Sequence, residues 1–208
     1  MDDCPFCNRE MFKERIIAET NNFYIVATLG QITDGGHVLI VSKEHLRCVG
    51  DMPHELLGDF SFWVDFTSKV LSFEYGVRPL DITVFEHGIT GQTVPHAHVH
   101  IVPARMDFTL NVRKDFPTTK LWTYHAWEEV AHYFRKKEEH YLLRKRSPAT
   151  FDVLWDNSAP DMYLRTVLAK TLGVPERANW KGVDPVLDKQ LWVKTVQLLK
   201  PHFEHFKK

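Results

Sequence analysis

The run His96-Ala97-His98-Val99-His100-Ile101-Val102 alternates imidazole and aliphatic side chains residue by residue. Successive side chains of a strand point to opposite faces. In extended form the run therefore sets His96, His98 and His100 on one face and Ala97, Val99 and Ile101 on the other. A helix, turning about 100° per residue, would scatter the three rings over about 200°. The alternation predicts a strand over 96–102, limited by Pro103, with three imidazoles clustered on one side of a sheet.

The surrounding sequence supplies partners for that strand. Residues 15–18 and 23–27 are rich in β-branched and aromatic side chains, and Asn21-Asn22 between them suits a tight turn, which predicts a hairpin. Gly35-Gly36 leads into a short apolar strand over 37–41, and Ile82-Thr83-Val84-Phe85 reads as a fourth. Asp51 can cap a helix with Pro53 in its first turn. Leu56, Leu57, Phe60, Trp63, Val64, Val70, Leu71 and Phe73 recur at helical spacing to about Tyr75. The expected fold is α+β: a five-stranded, mostly antiparallel sheet with one long helix. Its domain covers residues 1–108.

Residues 109–208 read as a C-terminal α/β extension. Positions 109–122 carry few periodic signals and predict a connecting loop. A helix over 127–139 follows, then a hairpin pairing 141–143 with 151–155 and Ser147-Pro148 in its turn. Two further helices are expected over 162–172, stopped by Gly173 and Pro175, and over 185–199. Arg144-Lys145-Arg146 reads as a solvated strand end.

The 208 residues carry 26 basic and 27 acidic side chains, so no global charge draws the chain to nucleic acid or an anionic membrane. The acidic start Met1-Asp2-Asp3-Cys4 has no apolar run behind it, so neither a signal peptide nor a membrane span is expected. Cys4, Cys7 and Cys48 are too few for a disulfide framework, and the expected compartment is a reducing cytoplasm. There Cys4-Pro5-Phe6-Cys7 reads as metal-binding or redox-active, and Cys48 as a small buried hydrophobe.

Clustered imidazoles suit phosphoryl chemistry. A neutral imidazole is a free nucleophile near pH 7, and a neighbour that takes its other ring proton fixes the tautomer. Attack on phosphorus gives a covalent phospho- or nucleotidyl-histidine, splitting one displacement into two. Gln92, just upstream, can donate to and accept from a substrate oxygen.

The segment Gly91-Gln92-Thr93-Val94-Pro95-His96-Ala97-His98-Val99-His100-Ile101-Val102 resembles the signature of the histidine triad (HIT) superfamily. Gly36-His37-Val38-Leu39-Ile40-Val41-Ser42-Lys43-Glu44-His45 is similar to that family's preceding strand. The resemblance covers roughly residues 4–105. It implies a hydrolase or transferase acting on nucleotide phosphoanhydrides, phosphoramidates or sugar nucleotides. By motif position it implies His98 as nucleophile and His100 as the residue contacting the phosphate and leaving group. Gln92 matches the polar residue near the scissile phosphate, and His37 the orienting histidine. A structural zinc held by Cys4, Cys7, His45 and His96 is implied as well, since two thiolates and two imidazoles make a closed tetrahedral set. A homodimer is expected by analogy.

The chain departs from the family where the second strand ends. An Asp or Asn usually holds the ribose hydroxyls there, whereas this chain offers Ala27 and then Thr28, with Ile25 available to pack on a base. After the fourth strand, Phe85-Glu86-His87-Gly88 replaces an Asn-rich segment. Glu86 and His87 either line the site or are strand-end polar groups. The segment from Tyr163 to Lys181 is similar to the tails of other triad proteins and resembles CwfJ-type C-terminal domains. Two other readings stay open: a non-catalytic nucleotide-binding or interaction module, and a metal-dependent enzyme with His96, His98 and His100 as ligands.

Overall fold

The structure is a computed structural model that describes residues 4–206; the start Met1-Asp2-Asp3 lies outside the described residues. Strands β1 (Ile16–Glu19) and β2 (Phe23–Ala27) form the expected hairpin, and β3 (Val38–Ser42) pairs with β2. Helix α1 (His54–Glu74) precedes β4 (Thr83–Gly88) and β5 (His98–Val102). The second half adds α2 (Phe108–Asp115), β6 (Leu121–Tyr124), α3 (Trp127–Lys137), β7 (Tyr141–Ser147) and β8 (Thr150–Trp155). Helices α4 (Tyr163–Thr171) and α5 (Pro185–Phe203) follow.

The described strands form one sheet in the order β1-β2-β3-β5-β4-β7-β8-β6, with every pairing antiparallel. The α+β class and the antiparallel sheet agree with the expectation, but the sheet has eight strands rather than five. The cause is the outer edge of β4. Its groups from Val84 to Gly88 pair with Lys145 to Tyr141 of β7, so the hairpin of the second half continues the first sheet. An edge strand left open presents unpaired N–H and C=O groups, and here the same chain covers them.

Three local differences have physical causes. Residues 108–124 are not a loop but a helix and a strand. Helix α2 is two turns long, capped by Asp107 accepting from the Leu110 N–H, and buries only Phe108 and Val112. Strand β6 is an edge strand with no fully buried side chain, so it lacks alternation. Helix α1 begins at His54 with Pro53 before it, and Asp51 instead takes a bidentate ion pair from Arg47. The last helix continues through Phe203, because its buried stripe of Asp188, Leu191, Thr195, Leu199 and Phe203 extends past Leu199.

The two faces of the sheet differ. Ile25, Ala27, Val38, Ile40, Val99 and Ile101 point into the core built with α1, where Phe60, Val64 and Leu71 are buried. Leu199 and Phe203 of α5 join that core. The opposite face carries Leu39, His98, His100 and Phe85, and α4 covers part of it through Leu164, Val167 and Leu168. Among the described residues, no helix is long and apolar enough to cross a membrane.

Glu86 lies in the α1-side core, fully buried. One oxygen accepts from the Val49 N–H at 2.7 Å and the other from the Tyr141 hydroxyl at 2.7 Å. Burial, opposed by these two bonds, raises its pKa to about 7. The native state then keeps a proton that the unfolded chain gives up between about pH 4.5 and 7, so this residue lowers stability as pH rises through that window. Glu86→Gln mimics the protonated acid. Thermal denaturation should show the variant melting within a degree or two of the parent at pH 4.5. At pH 8 it should melt several degrees higher, with an upper limit of about 3 kcal/mol.

Candidate active site

The register of β5 against its neighbours builds the site. His98 lies opposite Val41 and His100 opposite Leu39, while His100 also faces Phe85 of β4. The His100 ring stacks on Phe85 at 4.5 Å with 5° between planes. The strand starts at His98, two residues later than the alternation implies. Pro95 has no N–H to give a ladder, and His96 bonds back to the Val94 carbonyl instead. His96 thereby leaves the other two rings and enters a separate cluster.

The His98 Nδ1 lies 2.6 Å from the His96 carbonyl oxygen. A carbonyl accepts only, so Nδ1 carries the proton and Nε2 carries the lone pair. Burial lowers the His98 pKa to about 4, with the His96 carbonyl opposing the shift and the His96 and Arg165 charges adding to it. The ring is therefore neutral near pH 7. His100 Nδ1 is 2.9 Å from His37 Nε2, while His37 Nδ1 is buried with no partner. An unpaired lone pair costs less than an unpaired N–H. His37 accordingly donates from Nε2, and His100 keeps its proton on Nε2. Burial holds both of these rings well below the ordinary histidine range.

A loop anchored from both ends of the chain supports His37. The Gln31 side chain donates to the carbonyls of Thr28 and His37 and accepts from the His37 N–H. From α5, Asp188 accepts the Gly30 and Gln31 N–H groups, and Thr195 accepts the Gly36 N–H at 2.8 Å.

His98 and His100 open into a cavity of about 640 Å³, a volume that includes the open solvent at its mouth. Gln92 lines it and donates to the Arg47 carbonyl at 3.0 Å. His87 lines it too, its Nε2 accepting from the Leu164 N–H at 3.0 Å, whereas Glu86 faces the other side of the sheet. Ile25 and Ala27 do not line the cavity. Their side chains point into the α1-side core, fully buried, because they share a strand face with no histidine. Thr28, Leu29 and Leu39 line the cavity where the sequence reading expected Ile25 and Ala27.

Sequence reading missed several cavity residues: Phe6, Arg15, Met162, Arg165 and Trp180. Phe6 sits between two cysteines and packs its ring against both His96 and His98, at 5.7 and 5.4 Å. The other four lie at sequence distances at which no local pattern signals proximity.

His96 belongs with Cys4, Cys7 and His45, whose ligand atoms lie within 4.8 Å of one another. The Cys4 Sγ–His96 Nδ1, Cys7 Sγ–His45 Nδ1 and Cys7 Sγ–His96 Nδ1 distances are 3.4, 3.2 and 3.7 Å. A tetrahedral ion with ordinary metal–sulfur and metal–nitrogen bonds spaces S and N by about 3.5 Å, so the four atoms fit one. His96 Nε2 lies 2.8 Å from the Ser42 carbonyl, which leaves the Nδ1 lone pair facing the thiols. Among the described residues, no metal-spaced group includes His98 or His100. Cys48 is fully buried, and burial pushes its thiol far up.

A family model described as HIT domain matches residues 9–107. The chain is 29% identical over 110 residues to the nitrilase and fragile histidine triad fusion protein NitFhit of Drosophila melanogaster, covering 52% of this chain and 24% of that one. It is 31% identical over 77 residues to the asymmetrical bis(5'-nucleosyl)-tetraphosphatase of Schizosaccharomyces pombe, covering 36% and 42%. The chain thus spans under half the length of these two relatives. Among solved structures, a Zn-bound histidine triad family protein from Mycobacterium smegmatis aligns with a TM-score of 0.43 at 23% identity, covering 65% of this chain and 92% of that one. The triad, its supporting strands and the family match coincide in one stretch of sequence: residues 9–107 of this chain are a HIT domain.

Proposed function

We propose that this protein is a nucleotide hydrolase or nucleotidyl transferase that opens a phosphoanhydride or phosphoramidate through a covalent intermediate on His98. The observation that carries the reading is the His98 tautomer: a neutral ring with Nδ1–H held by the His96 carbonyl and the Nε2 lone pair free for the cavity. Nε2 forms a bond to phosphorus as the bond from phosphorus to the leaving oxygen or nitrogen breaks. A phosphate leaving group departs as its anion, whereas an amine must take up a proton. The His100 Nε2–H donates to a phosphoryl oxygen on which charge grows, and His37 holds that ring in place. Gln92 orients the same group or the incoming water. Water or another acceptor then attacks phosphorus, the phosphorus–Nε2 bond breaks, the acceptor's proton passes to solvent, and His98 leaves as the neutral Nδ1–H imidazole.

The same tautomer favours this reading over a binding module, since a site that only binds needs no free Nε2 lone pair. The test is incubation with labelled dinucleoside polyphosphates, adenosine phosphoramidates and sugar nucleotides, followed by acid-free peptide mapping. The expected product is a nucleotidyl or phosphoryl adduct on His98, and tight binding without adduct or turnover across that panel refutes the reading.

The cluster of Cys4, Cys7, His45 and His96 holds a structural zinc. It ties the N-terminal arm, with Phe6, to the residue that fixes the His98 tautomer, and with four protein ligands it has no position for water. Metal analysis of protein prepared without chelator should give one zinc per chain. Cys7→Ser should lose it and melt more than about 5 °C lower, roughly 2 kcal/mol for a chain of this size.

Residues 1–108 act as the catalytic domain, and 109–208 as an extension that helps enclose the cavity. A homodimer, if formed, uses a surface other than the β4 edge, which β7 already occupies. Cytoplasmic residence fits the two free thiols of the cluster.

A further inference from the structure

Two arginines at opposite ends of the sequence line the histidine cavity. Arg165, from α4, is 3% exposed. Its Nε donates to the Ala178 carbonyl at 3.0 Å, and its Nη2 to the Gly30 and Arg177 carbonyls at 2.7 and 3.3 Å. Arg15, just before β1, is half-buried and donates from Nη1 to the Ala27 carbonyl at 3.0 Å. The approach of α4 and its following loop is close: a side chain at Gly30, whose φ is +65°, would run into the Trp180 backbone and Arg165 Nη2.

Neither guanidinium forms an ion pair among the described residues. Asp188 is the one carboxylate whose charge acts on both, and its Oδ1 is committed to the Gly30 and Gln31 N–H groups. Burial lowers both arginines to about 10, and both stay charged near pH 7. Both arginines line the cavity, and no carboxylate is among the described residues that line it. A buried cation with no opposite charge paired to it is costly to keep, and such groups concentrate at sites that receive a charged ligand.

We propose that Arg165 and Arg15 form an anion subsite for a second phosphoryl group, next to the one His98 attacks, so that the substrate is a di- or polyphosphate rather than a phosphoramidate monoester. Assigning that anion to a substrate rests on the nucleophile reading of His98; the anion subsite itself does not. A guanidinium is a permanently charged donor for phosphoryl oxygens. The carbonyl bonds engage Arg165 through Nε and Nη2 and Arg15 through Nη1, which leaves Nη1 of the first and Nε and Nη2 of the second outside those bonds. Two guanidinium groups offset the charge of a diphosphate bridge, which a monoester lacks.

Isothermal titration of the full chain with inorganic pyrophosphate and with inorganic phosphate tests it. The wild type should bind pyrophosphate more tightly than phosphate. Arg165→Gln and Arg15→Gln should each weaken pyrophosphate binding at least tenfold and collapse its preference over phosphate, which general loosening of the cavity would not do. Arg15→Gln carries the test if Arg165→Gln does not fold, since Arg15 makes a single carbonyl bond. Unchanged pyrophosphate preference in a folded arginine variant, or no preference in the wild type, overturns the inference. Turnover of His98→Ala separates the two ideas. An active His98→Ala with arginine-dependent pyrophosphate binding removes the nucleophile and leaves the subsite. An inactive one with arginine-independent binding does the reverse.

Discussion

His98→Ala should lower turnover of any substrate by at least about 10⁴-fold and leave no trapped adduct, while melting within about 3 °C of the parent. Loss of a nucleophile removes the covalent route altogether, and such losses reach about 10⁶-fold where the residue acts as part of a unit. The small stability effect follows from the position of the ring. It opens into the cavity rather than into the α1-side core, and its one strong bond is to a carbonyl that water can satisfy in the variant. His37→Ala should act through His100, lowering turnover less and leaving adduct formation detectable. Rate measurements with intact-mass detection of the adduct distinguish the two variants.

Removing residues 109–208 should abolish folding of the remaining HIT segment. Truncation unpairs the β4 edge from Val84 to Gly88. It also strips Tyr141, Leu143, Phe151, Val153, Leu199 and Phe203 out of the core shared with α1. Each such side chain contributes about 1.5–3 kcal/mol by burial, and together they match the whole stability of a typical domain, about 5–15 kcal/mol. The loop that carries His37 would lose Asp188 and Thr195 as well. Expression of 1–108 should give aggregate or an unfolded chain by circular dichroism, and co-expression with 109–208 should restore soluble protein. A folded, active 1–108 would mean that the second half is accessory.

The site was legible where chemistry and period coincide. Three histidines at spacing two can share a strand face, and Cys4-x-x-Cys7 needs further ligands, which His45 and His96 supply. Ile25 and Ala27 were misplaced because strand parity decides which residues face the cavity. The odd positions of β2 face α1, as the pairing of Ile25 with Ile40 and of Ala27 with Val38 requires. Glu86 and His87, undecided by sequence, are separated by the same parity, one to each side of β4. Helix α2 and strand β6 were missed because short or edge elements bury too few side chains to leave a period.

The sequence alone determined the strand that bears His98 and His100, the long helix, and, through motif resemblance, the family and the four residues that gather around His96. The strand and the helix depend on spacing within a few residues, which local sterics and period enforce, and the other two were read from short motifs. Only the tertiary structure decided that β7 extends the first sheet, that α5 holds the His37 loop, and that Arg165 and Arg15 line one cavity with His98 and His100. Those are encounters across up to about 150 residues. They are set by how faces pack and edges pair, and a helical arginine with four carbons of reach carries no mark of what it will meet.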